Sequence, residues 1–112
     1  MSKLDEKISA YVAESKKLNL DLDESLIASV AKGLGPSIYN QDAETIAASD
    51  SAELDRLKKN FLIGKLGLAD DAKLDTAIEE VIEKIGKSNR NKYRALVYAL
   101  LVKKFKKEAV YK

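Results

Sequence analysis

The most informative stretch of this sequence is Ala95-Leu96-Val97-Tyr98-Ala99-Leu100-Leu101-Val102. A helix formed by these residues is apolar on every side, and such a helix is normally buried among its neighbours. The stretch is much shorter than the roughly 20 residues that a membrane-spanning helix requires. We therefore predict a central helix that begins after Ser88 and reaches about Lys106, with Leu100 fully buried.

Towards the N-terminus, apolar residues recur at helical spacing through most of the chain. The pattern predicts helices over approximately residues 3–17, 22–32 and 50–65. Asp21 and Gly33 are the predicted N-terminal and C-terminal caps of the second of these helices. Residues 41–48 form either a short helix or an ordered loop, because Ile46 is their only strong apolar anchor.

The clearest amphipathic pattern begins after Asp70 or Asp71 and ends at Gly86. Its apolar positions are Leu74, Ala77, Ile78, Val81, Ile82 and Ile85. No clear alternating pattern typical of a strand accompanies these helices. The sequence therefore predicts an all-α fold, a compact multihelical bundle of about five helices around the apolar C-terminal helix, in a single domain of residues 1–112.

The sequence contains no His and no Cys, and this limits the chemistry open to it. Structural zinc sites and most zinc enzymes use these two residues, and Ser–His and Cys–His nucleophilic catalysis require them. We expect no metal site and no cofactor. Carboxylate pairs, a Ser–Lys pair or Tyr and Lys acid–base chemistry remain open to an enzyme. The charged start of the chain lacks the pattern of a secretory signal, which favours the cytoplasm, and no membrane association is expected.

Charge is distributed unevenly along the chain. Residues 87–112 contain nine basic residues and one acidic residue, a net charge of +8, whereas the other 86 residues carry 11 basic and 17 acidic groups, a net charge of −6. This asymmetry raises the hypothesis of nucleic-acid binding through the basic C-terminal segment. The alternative is that the acidic remainder of the domain neutralises this segment, since cations are also favourable at a helix C-terminus.

The start of the predicted C-terminal helix is the preferred candidate for a binding site. Arg90, Lys92 and Arg94 would occupy its first two turns, where the helix dipole disfavours each exposed cation by a few tenths to about 1 kcal/mol. Free backbone N–H groups at this end, with Asn89 beside them, favour a phosphate, a carboxylate or an acidic protein surface. The competing explanation is that the arginines pair internally with Glu79, Glu80 or Glu83.

The predicted binding residues are therefore Asn89, Arg90 and Arg94. Tyr39 and Asn40, which follow Gly35 and Pro36, are secondary candidates that nothing in the sequence places near the arginines. No catalytic residue and no metal ligand is predicted.

Several strings of the sequence, in this order and spacing, resemble a family of small bacterial proteins known only as a domain of unknown function. They are GPSIYN at 35–40, NFLI at 60–63, KLGL at 65–68, SNRNKYRA at 88–95 and EAVY at 108–111. The resemblance covers essentially the whole chain. It implies a multihelical all-α fold in a bacterial cytoplasm, and it implies no activity, substrate or catalytic residue.

The preferred function is a non-enzymatic binding or interaction domain that recognises an anionic group or an acidic protein surface. Nucleic-acid binding through residues 87–112 is the first alternative. A small enzyme that uses carboxylate, Ser or Lys chemistry is the second.

Overall fold

The computed structural model describes residues 3–40, 44–46, 50–86, 89 and 92–111, and within them the chain forms five α-helices. In chain order these are α1 (Lys3–Lys17), α2 (Glu24–Leu34), α3 (Ser51–Arg56), α4 (Ala72–Ile85) and α5 (Arg94–Lys104). A π-helix at Leu57–Lys65 continues α3, and 3₁₀ turns lie at Gly35–Tyr39 and Glu108–Tyr111. The predicted all-α fold is confirmed. No helix in the described ranges has the length and apolar content needed to cross a membrane.

Helix α5 lies at the centre of the bundle, as its apolar sequence predicts. Every residue from Ala95 to Val102 is buried except Tyr98, which is partly exposed. Helices α1, α2 and α4 pack against it. Leu100 is 6% exposed and belongs to the same core cluster.

The start of α5 differs from the prediction, because the helix begins at Arg94 and not soon after Ser88. The residues just before it pair with a distant part of the chain instead. The backbone N–H of Ile46 donates to the carbonyl of Lys92 at 2.8 Å, and Thr45 forms an isolated antiparallel bridge with Tyr93. These non-local contacts hold the approach to α5 in a non-helical conformation.

The predicted caps of α2 are each two residues too early. Asp23, in an extended conformation, accepts a hydrogen bond from the backbone N–H of Ser25, whereas Asp21 has a positive φ of 56°. An N-cap residue normally has β-region backbone angles, which Asp23 has and Asp21 lacks. At the other end Gly35 adopts a φ of 65°, and Gly33 lies within the helix. The helix is therefore shifted towards the C-terminus.

The π-helix at Leu57–Lys65 replaces the second half of a predicted α-helix. The buried residues of this region are Leu57, Phe61, Leu62 and Leu66. Buried residues one turn apart in this set differ by four or five positions in sequence. This spacing fits the wide turn of a π-helix, with its i→i+5 hydrogen bonds, better than the turn of an α-helix. The N–H of Leu66 donates to the carbonyl of Phe61 at 2.9 Å, so the wide turn buries Leu66 and leaves Lys65 exposed.

Helix α4 has the predicted apolar stripe, since all six of its predicted apolar positions are buried. Asp71 caps it by accepting from the N–H of Lys73, and Gly86 follows it with a φ of 110°. Of the region predicted as a short helix or a loop, residues 41–43 and 47–48 lie outside the described residues. Ile46, the predicted apolar anchor of this region, is buried at 5% exposure.

Candidate functional site

Arg94 is the first residue of α5, and its guanidinium pairs with a carboxylate of the same chain. Its Nη2 donates to Oε1 of Glu53 on α3, and its Nη1 donates to the hydroxyl of Tyr98 at 3.2 Å. The side chains of Arg94 and Glu53 are 17% and 13% exposed. This acidic partner is thus internal, and it lies on α3, whereas the predicted partners lie on α4.

The electrostatics of this pair favour its charged form. Burial alone raises the pKa of Glu53, but hydrogen bonds from Arg56 and Arg94 outweigh it and hold the pKa below its usual value. Burial likewise lowers the pKa of Arg94, while its bonds to Tyr98 and Glu53 raise the pKa above the usual value. Arg94 therefore stabilises the junction between α3 and α5 as an ion.

Lys92 and Asn89 lie before α5 and not in its first turns. Lys92 is buried at 7% exposure, and its ammonium donates to the carbonyl of Asn89 at 2.6 Å. The side-chain amide of Asn89 donates to the carbonyl of Ile85 at 3.3 Å and lies 3.5 Å from a carboxylate oxygen of Glu14. Arg90, the remaining predicted residue of this group, lies outside the described residues.

Tyr39 and Asn40 belong to a segment that lies beside this region. The carbonyl of Asn40 accepts from the N–H of Glu44, and the following residue bridges to Tyr93 as described above. Tyr39 as a whole residue is 46% exposed. The structure therefore brings the two secondary candidates towards the start of α5, which the sequence did not indicate.

Hydrogen bonds to the partly buried carboxylate of Glu44 connect this segment to α1. The Glu44 carboxylate accepts a hydrogen bond from the Tyr11 hydroxyl at 2.6 Å and forms an ion pair with the Lys7 ammonium at 2.8 Å. The ring of Tyr11 also packs on that of Tyr93, with ring centroids 4.9 Å apart. Burial, reinforced by Glu44, raises the pKa of Tyr11 well above its usual value. Tyr11 therefore remains a protonated hydrogen-bond donor at neutral pH, and its contacts are those of a structural group.

The basic end of the chain contacts the acidic remainder of the domain. The ammonium of Lys103 donates to the carbonyl of Asp21 at 2.5 Å and to its carboxylate at 3.1 Å. Lys104 donates to the Glu80 carboxylate at 2.7 Å. Two basic residues of the segment thus have acidic partners within the domain, as the alternative to nucleic-acid binding predicts.

A cavity of about 520 Å³ lies between the start of α2, the end of α5 and the chain that follows α5. Its lining combines apolar and polar side chains: Asp21, Leu22, Asp23, Ser25, Leu26, Ser29, Lys103, Glu108 and Tyr111. This volume falls in the range of small-molecule sites, which are also typically apolar with a few polar groups. No local pattern in the sequence indicates the cavity, because its walls come from three separated parts of the chain.

Three carboxylates and one ammonium, those of Asp21, Asp23, Glu108 and Lys103, give the lining a net charge of −2 at neutral pH. Asp23 uses one oxygen to cap α2, and Lys103 binds Asp21. The carboxylate of Glu108 makes no hydrogen bond or ion pair with any part of the chain that the structure describes. The cavity therefore favours a cationic group over an anionic one.

Tyr111 forms the aromatic wall of the cavity. Its ring packs against Gly33, where an added Cβ would lie 3.2 Å from Cε1, and the Lys65 ammonium lies 4.8 Å from the ring centroid. Burial, with a smaller effect from Tyr98, raises the pKa of Tyr111 to about 12. Its hydroxyl thus stays protonated at neutral pH.

No group of three or more Asp, Glu, His or Cys residues among those described is placed to hold a metal ion.

Comparison with known proteins agrees with the resemblance noted in the sequence. A search of curated proteins finds no match. A family model described as a protein of unknown function, DUF2853, matches residues 10–109, which is most of the chain. The chain belongs to the DUF2853 family of proteins of unknown function.

Proposed function

We propose that this chain is a non-enzymatic binding domain whose ligand site is the cavity between α2 and residues 106–111. The observation that carries the proposal is the composition of the cavity wall. Leu22, Leu26 and Tyr111 offer apolar contact area, and carboxylates stand on both sides of it. A concave site with this mixture of apolar area and convergent polar groups is the usual form of a small-molecule or side-chain site.

The ligand class that fits this wall is an amine on an apolar stem. The ammonium of Lys103 already binds the carbonyl and carboxylate of Asp21 at one corner of the cavity. A second ammonium would balance the charge of Asp23 or Glu108, and its stem would lie along Leu22 and Leu26. Both a small aliphatic amine and a lysine side chain of a partner protein have this chemistry.

The other functions expected from the sequence have less support. At the start of α5, Arg94 is engaged by Glu53, and Lys92 is buried against Asn89. Anion recognition there would depend on Arg90 and stays a prediction. Nucleic-acid binding would have to draw on lysines such as Lys103, which has an acidic partner within the domain.

An enzymatic function also has less support from the titratable groups. A general base at neutral pH needs a pKa near 7. Burial moves the pKa of Tyr11 and of Tyr111 upwards, away from neutral. The pKa of Glu53 is lowered, which also takes it away from neutral pH. These shifts favour binding over acid–base catalysis.

A bacterial cytoplasmic location, which the family resemblance implies, is part of the same proposal.

The proposal is tested by thermal melting in the presence of 1,5-diaminopentane, with glutarate as a matched five-carbon dianion and phosphate as an inorganic anion. Ionic strength is held constant across the three series, because surface charges respond to salt. A ligand that binds only the folded state raises the melting temperature with its concentration. We expect the diamine to stabilise the protein and neither anion to do so.

A pair of charge-neutralising variants locates the effect. Glu108→Gln removes a carboxylate from the cavity wall, whereas Glu79→Gln removes an exposed carboxylate from α4, away from the cavity. The response to the diamine should weaken in Glu108→Gln and persist in Glu79→Gln. Equal responses in the two variants, or equal stabilisation by the diamine and glutarate, would show that the cavity is not the site. A short lysine-containing peptide in place of the diamine then distinguishes a free amine from a protein side chain.

A further inference from the structure

We infer that residues 106–111, termed here the C-terminal wall, form a hinged element that docks on α2 and undocks as a unit. Docking of this wall completes the cavity. The inference rests on the proposed function only in giving the cavity a ligand, since the hinge itself follows from contacts within the chain.

The pivot of the C-terminal wall is a single residue. Helix α5 ends at Lys104, and Lys106 adopts a φ of 56°, a left-handed conformation that is uncommon for a residue other than glycine. The N–H of Lys107 then donates to the carbonyl of Val102 at 2.9 Å. This bond closes the end of α5 and redirects the chain towards α2.

The far end of the wall is held by one aromatic ring. Tyr111 packs on Gly33 of α2 and receives the Lys65 ammonium over its face. Between the pivot and the ring, Glu108, Ala109 and Val110 are all exposed. Within the described part of this segment, a turn holds one end and the half-buried Tyr111 packs at the other. A short segment of this kind opens locally long before the domain unfolds.

Opening of the wall changes the cavity directly. Glu108 and Tyr111 belong to the wall, while Asp21, Asp23 and Leu26 belong to the fixed part of the domain. Undocking removes one carboxylate and the aromatic surface together, and leaves the other half of the site in place. A ligand that contacts both halves binds the docked state more tightly, so occupancy and docking are coupled.

The hinge is tested by amide hydrogen exchange of the free protein, followed residue by residue with NMR. The reporter is the amide of Lys107, and the reference is the group of amides in the middle of α5, which open with the whole domain. We expect Lys107, corrected for its intrinsic rate, to exchange at least about 100-fold faster than the reference amides, because local opening is easier than global unfolding. Exchange of Lys107 at the rate of the reference amides would overturn the inference.

Two neighbouring variants show whether the aromatic ring holds the wall. Tyr111→Ala removes the aromatic ring that packs on Gly33, and Lys107 should then exchange about tenfold faster than in the parent protein. The exchange of the α5 reference amides should not change. Val110→Ala shortens an exposed side chain of the same wall and should change the rate less than about twofold. An unchanged rate at Lys107 in Tyr111→Ala would show that the wall does not dock through this ring.

Addition of 1,5-diaminopentane separates the hinge from the proposed function. Slower exchange at Lys107 with the diamine supports the coupling of docking and occupancy. Fast exchange in the free protein with no effect of the diamine leaves the hinge intact and contradicts the amine site. If the diamine stabilises the protein but the amide of Lys107 exchanges at the same rate as the reference amides of α5, the hinge is contradicted and the amine site is left intact.

Discussion

Arg94 at the first residue of α5 and Glu53 on α3 form an ion pair across 41 positions of sequence. The pair is largely shielded from solvent, and Arg56 binds the second oxygen of the same carboxylate. It joins the central helix to the short helix that precedes the π-helix. The arginine that the sequence offered as an anion-binding group therefore holds two elements of the fold together.

Replacement of Arg94 by Gln should destabilise the protein. The variant leaves the shielded carboxylate of Glu53 with Arg56 alone, and a loss of about 1–3 kcal/mol in unfolding free energy is expected. Arg56→Gln is the matched control, since Arg56 is 62% exposed and such pairs contribute about 1 kcal/mol or less. Urea unfolding measures both. A variant Arg94→Gln as stable as the parent would instead favour an external partner for this arginine.

The same pair gives a pH dependence. The pKa of Glu53 is lower in the folded protein than its ordinary value of 4.5, so the unfolded chain takes up a proton first as the pH falls. The stability from this group is complete above the ordinary pKa and is lost as the pH falls through the folded pKa. The stability difference between the parent and Arg94→Gln should therefore be constant near neutral pH and decrease below about pH 4. A difference that grows with acid would contradict this assignment.

Leu100→Ala tests the position of α5. Leu100 is buried among the core residues of the bundle, and its truncation should cost about 2–5 kcal/mol in unfolding free energy. Glu79→Ala, at an exposed position on α4, should change stability by less than about 0.5 kcal/mol. A loss below about 1 kcal/mol for Leu100→Ala would place this helix at the periphery.

Gly64→Ala tests the π-helix. Alanine usually stabilises an α-helix relative to glycine by roughly 0.5–1 kcal/mol. Here the added Cβ would lie 3.3 Å from the backbone carbonyl oxygen of Lys59, which cannot move without disturbing the wide turn. We therefore expect no gain in melting temperature and a modest loss. A gain of several degrees would indicate that the segment is an ordinary α-helix.

A chelator should leave the melting temperature unchanged. The sequence has neither His nor Cys, and the described carboxylates do not gather in groups of three that could hold an ion. The comparison is a melting curve with and without excess EDTA at constant ionic strength. A decrease of several degrees would reveal a metal that contributes to folding.

Local signals explain which parts of the fold could be predicted. The stripe of α4 is periodic over about three turns, and the apolar stretch of α5 is continuous over eight residues. Both are buried as expected, apart from the partly exposed Tyr98. Asp71, one of the two residues after which the sequence allows α4 to begin, is its cap. Errors appear where two similar residues compete for one role, as Asp21 and Asp23 do at the start of α2. Their backbone conformations decide between them, left-handed at Asp21 and extended at Asp23, and residue type alone does not predict these.

Non-local contacts explain most of what could not be predicted. The start of α5 depends on the pairing of Thr45 with Tyr93, and the partner of Arg94 lies on a helix far away in sequence. The cavity exists only because the chain after α5 returns to α2. No periodic pattern encodes such contacts. The π-helix did leave a signal, the four- and five-residue spacing of Leu57, Phe61, Leu62 and Leu66, but this spacing is easily taken for an α-helix.

The most direct test of the proposed binding site is a two-dimensional NMR titration of the ¹⁵N-labelled protein with 1,5-diaminopentane. We expect amide shifts that saturate and that cluster around the cavity, at Asp21, Ser25, Glu108 and Tyr111. The same titration with glutarate should leave those amides unmoved. Shifts that fail to saturate, or that cluster at Asn89 and Arg94 and respond to glutarate instead, would contradict the amine site.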